Sequence, residues 1–310
     1  MGRMSTKYRV QNPKNNEIVE SFDFITDDEL ETALATANDT FKQWREKSFE
    51  ERAEVLRKVA TLFDEQRAEL TRIIAEEMGK SVKEGDGEIN DVVEIFNYYA
   101  DNGAEFGADE EIPNQRGGTS VMRKVPLGVI LGIMPWNFPY YQVARFAAPA
   151  LMAGNVVMVK HAEICPRSAA AIAKIFDEAG APKGLYTNLY AKHSQVSTLI
   201  NDDRVQGVSL TGSERAGRTI ASQAGQALKK CVLELGGTDA YVVLDASDLK
   251  AAAETAWNKR IGNVGQACTS NKRMIVMEDI YDEFVQALVD LASSYSEGDP
   301  LNPGDGKEFY

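Results

Sequence analysis

Cys268 stands in the stretch Gly262-Asn263-Val264-Gly265-Gln266-Ala267-Cys268-Thr269. A loop flexed by glycines can present a thiol with its own backbone N–H pointing toward whatever the sulfur attacks. Such a loop favours the thiolate and supplies half of an oxyanion hole. By itself, a single loop cysteine reads first as a structural thiol. Cys165, after Ile164, and Cys231, before Val232, have apolar neighbours and read as small core residues. Glu234 follows the apolar Val232-Leu233 and precedes Leu235-Gly236-Gly237. A carboxylate at the end of a buried strand is costly unless it works or is paired, and desolvation there would make it a stronger general base. The bland alternative is a strand-end carboxylate turned to water. Asn137, held between Trp136 and Phe138-Pro139, offers an immobile side-chain amide, which suits an oxyanion donor and equally a turn.

A second group could hold a nucleotide. No G-x-G-x-x-G fingerprint follows the first strand of the expected sheet, which ends instead in Pro135-Trp136-Asn137-Phe138-Pro139. The phosphate candidate is Thr211-Gly212-Ser213, placed directly after a strand and opening a helix, where unpaired N–H groups and the helix dipole favour an anion. An ordinary serine N-cap explains the same residues. Lys160 and Glu163 follow another strand and could hold the two ribose hydroxyls; alone, they also fit a surface ion pair.

These residues need a scaffold. From about Asp27 to Gly107 the apolar residues recur at helical spacing, as in Leu56, Val59, Ala60 and Phe63. Thr26 with Glu29, and Ser48 with Glu51, have the spacing of capping boxes. The charged faces of this helical half are expected to be solvated. The segment Thr119 to Lys124 alternates like an exposed strand or hairpin arm. Short apolar runs then alternate with helices: strands at 129–134, 156–160, 185–190, 205–210 and 230–235, helices at 140–153, 168–179 and 214–226. Connections this short imply a parallel sheet covered on both faces. Strands at 241–244 and 273–277, around a helix at 249–260, begin a second α/β unit. The expected organisation is a helical part over 1–117, an arm over 118–126, a Rossmann-like domain over 127–237 and a further unit from 238 to 310, with no internal repeat.

The 310 residues carry a formal charge of -13. That balance disfavours binding to nucleic-acid phosphates or to anionic membranes. Three scattered cysteines make no disulfide framework and no metal site, and fit a reducing cytoplasm. Met1-Gly2 with Thr6 matches a myristoylation pattern that nothing else supports.

Taken in order, Pro135-Trp136-Asn137-Phe138-Pro139, Val159-Lys160 with Glu163, Thr211-Gly212-Ser213, Glu234-Leu235-Gly236-Gly237 and Gly265-Gln266-Ala267-Cys268 resemble the aldehyde dehydrogenase superfamily. The resemblance runs from about Tyr8 to Pro300. The wording of Ile133 to Phe146, of Lys160-His161-Ala162 and of Leu228 to Leu235 is similar to bacterial succinate-semialdehyde dehydrogenases. It implies an α/β fold with a Rossmann-like cofactor domain, a catalytic domain and an oligomerisation arm, in a homodimer or homotetramer. It implies Cys268 as nucleophile, Asn137 and the Cys268 N–H as oxyanion donors, and Glu234 as the base that activates water. Trp136, Asn137, Lys160, Glu163, Gly212, Ser213 and Leu235 would line NAD or NADP, with no metal. Arg145 would hold the far carboxylate of succinate semialdehyde by bidentate pairing. A second arginine often present before the cysteine is replaced by Gly262, so exclusive use of that substrate is not implied. Glu163 favours NAD, whereas a swung-out Glu163 would admit NADP. Another semialdehyde, a CoA-acylating reaction and an inactive cofactor-binding fragment are the alternatives; Glu234 argues against the second. The family pattern continues past Tyr310, so a shortened chain is expected.

Overall fold

The computed structural model describes residues 7–115, 117–245, 247–304 and 307–310; the Met1-Gly2-Thr6 pattern lies outside them. The chain begins with a hairpin of β1 (Tyr8–Gln11) and β2 (Ile18–Phe22). Four helices follow: α1 (Asp27–Trp44), α2 (Phe49–Glu65), α3 (Arg67–Met78) and α4 (Val82–Phe106). Thr26 with Glu29 and Ser48 with Glu51 form the expected capping boxes, because each needs only residues within one turn. The arm is a two-stranded hairpin of β3 (Glu110–Ile112) and β4 (Ser120–Met122), and its first strand was not expected from the alternation.

Then come β5 (Val129–Ile133), α5 (Tyr141–Met152), β6 (Val156–Lys160), α6 (Pro166–Glu178), β7 (Tyr186–Asn188), α7 (His193–Asn201), β8 (Val205–Thr211), α8 (Glu214–Gln226) and β9 (Lys230–Glu234). The five strands form one parallel sheet in the order β7-β6-β5-β8-β9. Chain order thus runs outward from β5 in one direction and then resumes on its other side. The switch leaves a crevice beyond the carboxyl end of β5, between β6 and β8, where open α/β sheets bind ligands. Every residue of β6 is buried, as a central parallel strand requires.

At the edge the expectation of a buried strand fails. In β9 only Cys231 and Leu233 are partly buried, while Lys230, Val232 and Glu234 are exposed. Helix α8 covers one face of this edge strand, and no described residue buries the other. A second small core gathers Val243, Ala253, Ala256 and Phe284 from β10 (Ala240–Val243), α9 (Leu249–Ile261) and α10 (Glu278–Ser293), with β11 (Arg273–Val276) paired parallel to β10. Among the described residues, no helix is long and apolar enough to cross a membrane.

The helical half is not charged only on its surface. Lys80 and Glu88 form an ion pair whose side chains are 0% exposed. On α3, the buried Glu77 accepts the Arg167 N–H at 2.6 Å, the Ser168 N–H at 3.0 Å and the Ser168 hydroxyl at 2.6 Å, tying α3 to the start of α6. Burial outweighs these donors and pushes the Glu77 carboxyl up to about 7. Its folded value lies above the unfolded one of 4.5, so between the two the folded state binds more protons. The stability from this group is complete below the unfolded value and is lost as pH rises toward 7. The expected fall is on the order of 3 kcal/mol. Urea midpoints measured from pH 4 to pH 8 should show it, and Glu77→Gln should flatten that span; identical curves for the two proteins would refute the assignment.

Candidate active site

A cleft of about 340 Å³ opens at the switch point and brings together Trp136, Asn137, Gly212, Ser213, Leu235 and Cys268. These residues come from the ends of β5, β8 and β9 and from the loop after α9. Only tertiary folding joins them.

The loop after β5 is held from two sides. His161 is fully buried, and its Nε2–H donates to the Pro139 carbonyl at 2.9 Å while Nδ1 accepts the Ala162 N–H at 2.8 Å. Burial holds the imidazole down to about 4, so it is neutral at physiological pH and acts as a fixed strut. At the other end, Glu88 Oε1 accepts the backbone N–H groups of Tyr140 and Tyr141 at 2.8 and 3.0 Å, where α5 begins. Between these anchors, Asn137 Nδ2 donates to the Gln266 carbonyl at 2.8 Å. The proposed oxyanion donor is therefore engaged with the cysteine loop itself.

That loop is strained. Asn263, Val264 and Gly265 all have positive φ, at 52°, 55° and 75°. For a β-branched valine this costs roughly 1–2 kcal/mol, which the surroundings must offset. Asn263 Nδ2 donates to the Asn137 carbonyl at 2.8 Å, and the Asn263 N–H donates to Glu84 Oε1 at 2.7 Å. Gly265 is favoured by its φ of 75°, and a Cβ there would also press the Arg260 carbonyl at 3.1 Å and displace the movable end of the Arg260 side chain. Beyond the turn, Lys272 Nζ donates to the carbonyls of Ala267 and Cys268 at 3.0 and 2.8 Å. Cys268 is exposed, whereas Cys165 is buried and Cys231 lies between. Arg260 lies against Gly265 O and Ser270 Oγ at 3.4 and 3.3 Å and is not among the residues that line the cleft.

Glu234 departs from expectation. Its side chain is 54% exposed, because β9 is an edge strand. It faces Arg145 instead, with Nη1 to Oε1 at 3.5 Å. Arg145 also donates to Gln142 Oε1 at 2.9 Å and to Thr211 Oγ1 at 3.1 Å. The two residues expected to serve substrate binding and water activation are thus paired with each other.

Lys160 and Glu163 do not line the cleft, although Lys160 ends β6 directly beside Ile133 of β5. Their ion pair, 3.6 Å between Nζ and Oε1, is not at the surface: Lys160 is buried, and its pKa is lowered by that burial. His193, which begins α7, approaches Glu163 within 4.0 Å. The β1 strand closes this corner, with the Arg9 N–H on the Glu163 carbonyl at 2.9 Å. At the third strand end, Ser213 caps α8 by accepting the Ala216 N–H, and the Gly212 N–H donates to the Glu234 carbonyl at 2.9 Å. The Gly212 amide is therefore already committed, leaving the first-turn amides of α8 as anion donors.

Glu84, Glu88, Asn263 and Lys272 were not singled out from sequence. Only the Asn263-Val264-Gly265 run, with its glycine, hinted at an unusual turn.

A match to the aldehyde dehydrogenase family covers residues 2–306. The chain belongs to the aldehyde dehydrogenase family. Among curated proteins it is 44% identical over 301 residues to a succinate-semialdehyde dehydrogenase [NADP(+)] of Deinococcus radiodurans, covering 97% of this chain and 63% of that protein. A probable succinate-semialdehyde dehydrogenase [NADP(+)] of Synechocystis sp. is 42% identical, with 93% and 63% covered. The solved succinic semialdehyde dehydrogenase of Streptococcus pyogenes, in complex with NADP+, superimposes with a TM-score of 0.91 at 41% identity, over 96% of this chain and 65% of that one. This aldehyde dehydrogenase chain thus spans about 63% of the length of the curated relatives it matches.

Proposed function

We propose that the protein oxidises succinate semialdehyde to succinate with NADP+, using Cys268 as nucleophile. The observation that carries the reading is the cleft in which Cys268, Asn137 and the Gly212-Ser213 turn meet at the carboxyl end of β5. Relatives with the same succinate-semialdehyde activity and cofactor in their names supply the substrate and cofactor class.

The cleft residues fit a dinucleotide. Gly212 has open space where a side chain would stand, with only Leu210 Cδ2 nearby at 3.8 Å, and α8 begins directly behind it. Trp136 and Leu235 offer apolar walls. Lys160, Glu163 and His193 lie at the neighbouring strand end and would hold a ribose; turning Glu163 aside would leave the Lys160 ammonium and a His193 ring nitrogen for a 2′-phosphate, which favours NADP over NAD. A bound nicotinamide supplies the hydride acceptor. No metal is needed.

The Cys268 thiolate adds to the aldehyde carbon, and the new oxyanion is held by Asn137 Nδ2 and the Cys268 N–H. Asn137 Nδ2 carries two N–H groups, and the one not donated to Gln266 O is available for the oxyanion. Loss of hydride from the same carbon gives a thioester on Cys268. Glu234 then takes a proton from water as the hydroxide attacks, and the acid leaves with the thiol restored. Arg145 holds the distal carboxylate, which competes with Glu234 for the guanidinium.

Activity with an aldehyde panel, with and without coenzyme A, using NAD+ and NADP+ on the wild type and on Cys268→Ala, tests the reading. NADPH formed only with coenzyme A would replace it by an acylating reaction. Arg145→Gln is expected to raise KM for succinate semialdehyde about 10- to 100-fold, the worth of a charged hydrogen bond, while butyraldehyde is unaffected. Equal losses on both aldehydes would remove Arg145 from substrate recognition. The β3–β4 hairpin, with Ile112, Val121 and Met122 exposed, is proposed as the arm of a homo-oligomer, and the unpaired cysteines suit a cytoplasmic setting.

A further inference from the structure

We infer that the start of α4 is a clamp that sets the cysteine loop against the oxyanion donor, with Glu84 and Glu88 as its two positioning residues. The inference rests on the dehydrogenase reading above. Glu84 and Glu88 are four apart on one helix and so share a face. Each carboxylate takes backbone N–H groups from a different wall of the cleft. Glu84 Oε1 accepts from Asn263 at 2.7 Å, at the entry to the left-handed turn that leads to Cys268. Glu88 Oε1 accepts from Tyr140 and Tyr141, just past the loop that carries Asn137.

Both carboxylates are themselves immobilised. The Ser81 hydroxyl donates to Glu84 Oε2 at 3.1 Å, and Ser81 Oγ accepts the Glu84 N–H at 3.2 Å. Lys80 pairs with Glu88 Oε2, and its ammonium lies 3.6 Å from the centre of the Phe138 ring. A cross-brace joins the two walls, from Asn263 Nδ2 to the Asn137 carbonyl at 2.8 Å. Neither glutamate needs to touch a substrate. Their work is to make one helix hold two loops that lie more than a hundred residues apart in the chain. A turn with three consecutive positive φ values would relax without such a tether, and small misplacements of a nucleophile are costly.

The test is Glu84→Ala and Glu84→Gln, with the exposed Lys83→Ala as control. Glutamine keeps an oxygen that can accept the Asn263 N–H; alanine does not. In Glu84→Ala, backbone hydrogen exchange over residues 262–268 is expected to speed up by about tenfold or more relative to wild type. In the active enzyme kcat is expected to fall about 10²-fold with KM little changed. Glu84→Gln should restore most of both, and Lys83→Ala should match wild type. Unchanged exchange over 262–268 in Glu84→Ala would overturn the clamp, as would an equal kcat loss in the alanine and glutamine variants. The exchange measurement needs no turnover, so it judges the clamp even if no aldehyde proves to be a substrate.

Discussion

Cys268→Ala is expected to lower aldehyde-dependent NADP+ reduction about 10⁴-fold or more, while cofactor binding, followed by fluorescence titration, stays as in wild type. The size follows from losing covalent catalysis altogether, since Asn137 serves as an oxyanion donor and Glu234 as a base, and neither replaces the sulfur. Selectivity for this position follows from exposure: Cys165 is buried, with burial pushing its thiol well up, and Cys231 is partly buried and likewise raised. Iodoacetamide should therefore label Cys268 first, and labelling should abolish activity in step. Activity that survives full alkylation of Cys268 would end the covalent mechanism.

Lys80→Met is expected to destabilise the fold by about 3–5 kcal/mol, read as a lowered urea midpoint, because it strands the buried Glu88 carboxylate without its cation. Lys80→Met combined with Glu88→Leu should recover only part of the loss. A buried pair can often be replaced by apolar residues at little cost, yet here Glu88 also accepts the N–H groups of Tyr140 and Tyr141, which the double variant leaves unsatisfied. Full recovery would mean that those two bonds contribute nothing, and a neutral Lys80→Met would mean that the pair is not buried in solution. Burial holds the Lys80 ammonium below its ordinary range while Glu88 opposes that effect; the partnership is what keeps a charge tolerable at this depth.

Much of the site was legible because its parts are local. The Ser213 N-cap, the Thr26–Glu29 and Ser48–Glu51 boxes and the strand–turn–helix at Thr211 to Glu214 each depend on residues within a few positions of one another. Helix α7 is not legible in the sequence because nine residues carry too little of a period, whereas α10 is as amphipathic as α2 and its period was open to the same reading. The strand at Lys230 to Glu234 was recognised, but its edge position was not, since alternation along a strand does not say what lies beside it.

Cys268 is one loop thiol among three cysteines, and its place in the order of motifs is what makes it the nucleophile candidate. By itself, the sequence determined the family, the elements that carry each motif and the residue types available for chemistry, because these depend on local propensity and on order along the chain. Only the tertiary structure decided that Glu234 is exposed and paired with Arg145, that Lys160 is buried, and that α4 grips both walls of the cleft. Burial and charge pairing depend on which distant segments meet, and a carboxylate has the same sequence signature whether it ends up in water, in an ion pair or under a backbone N–H.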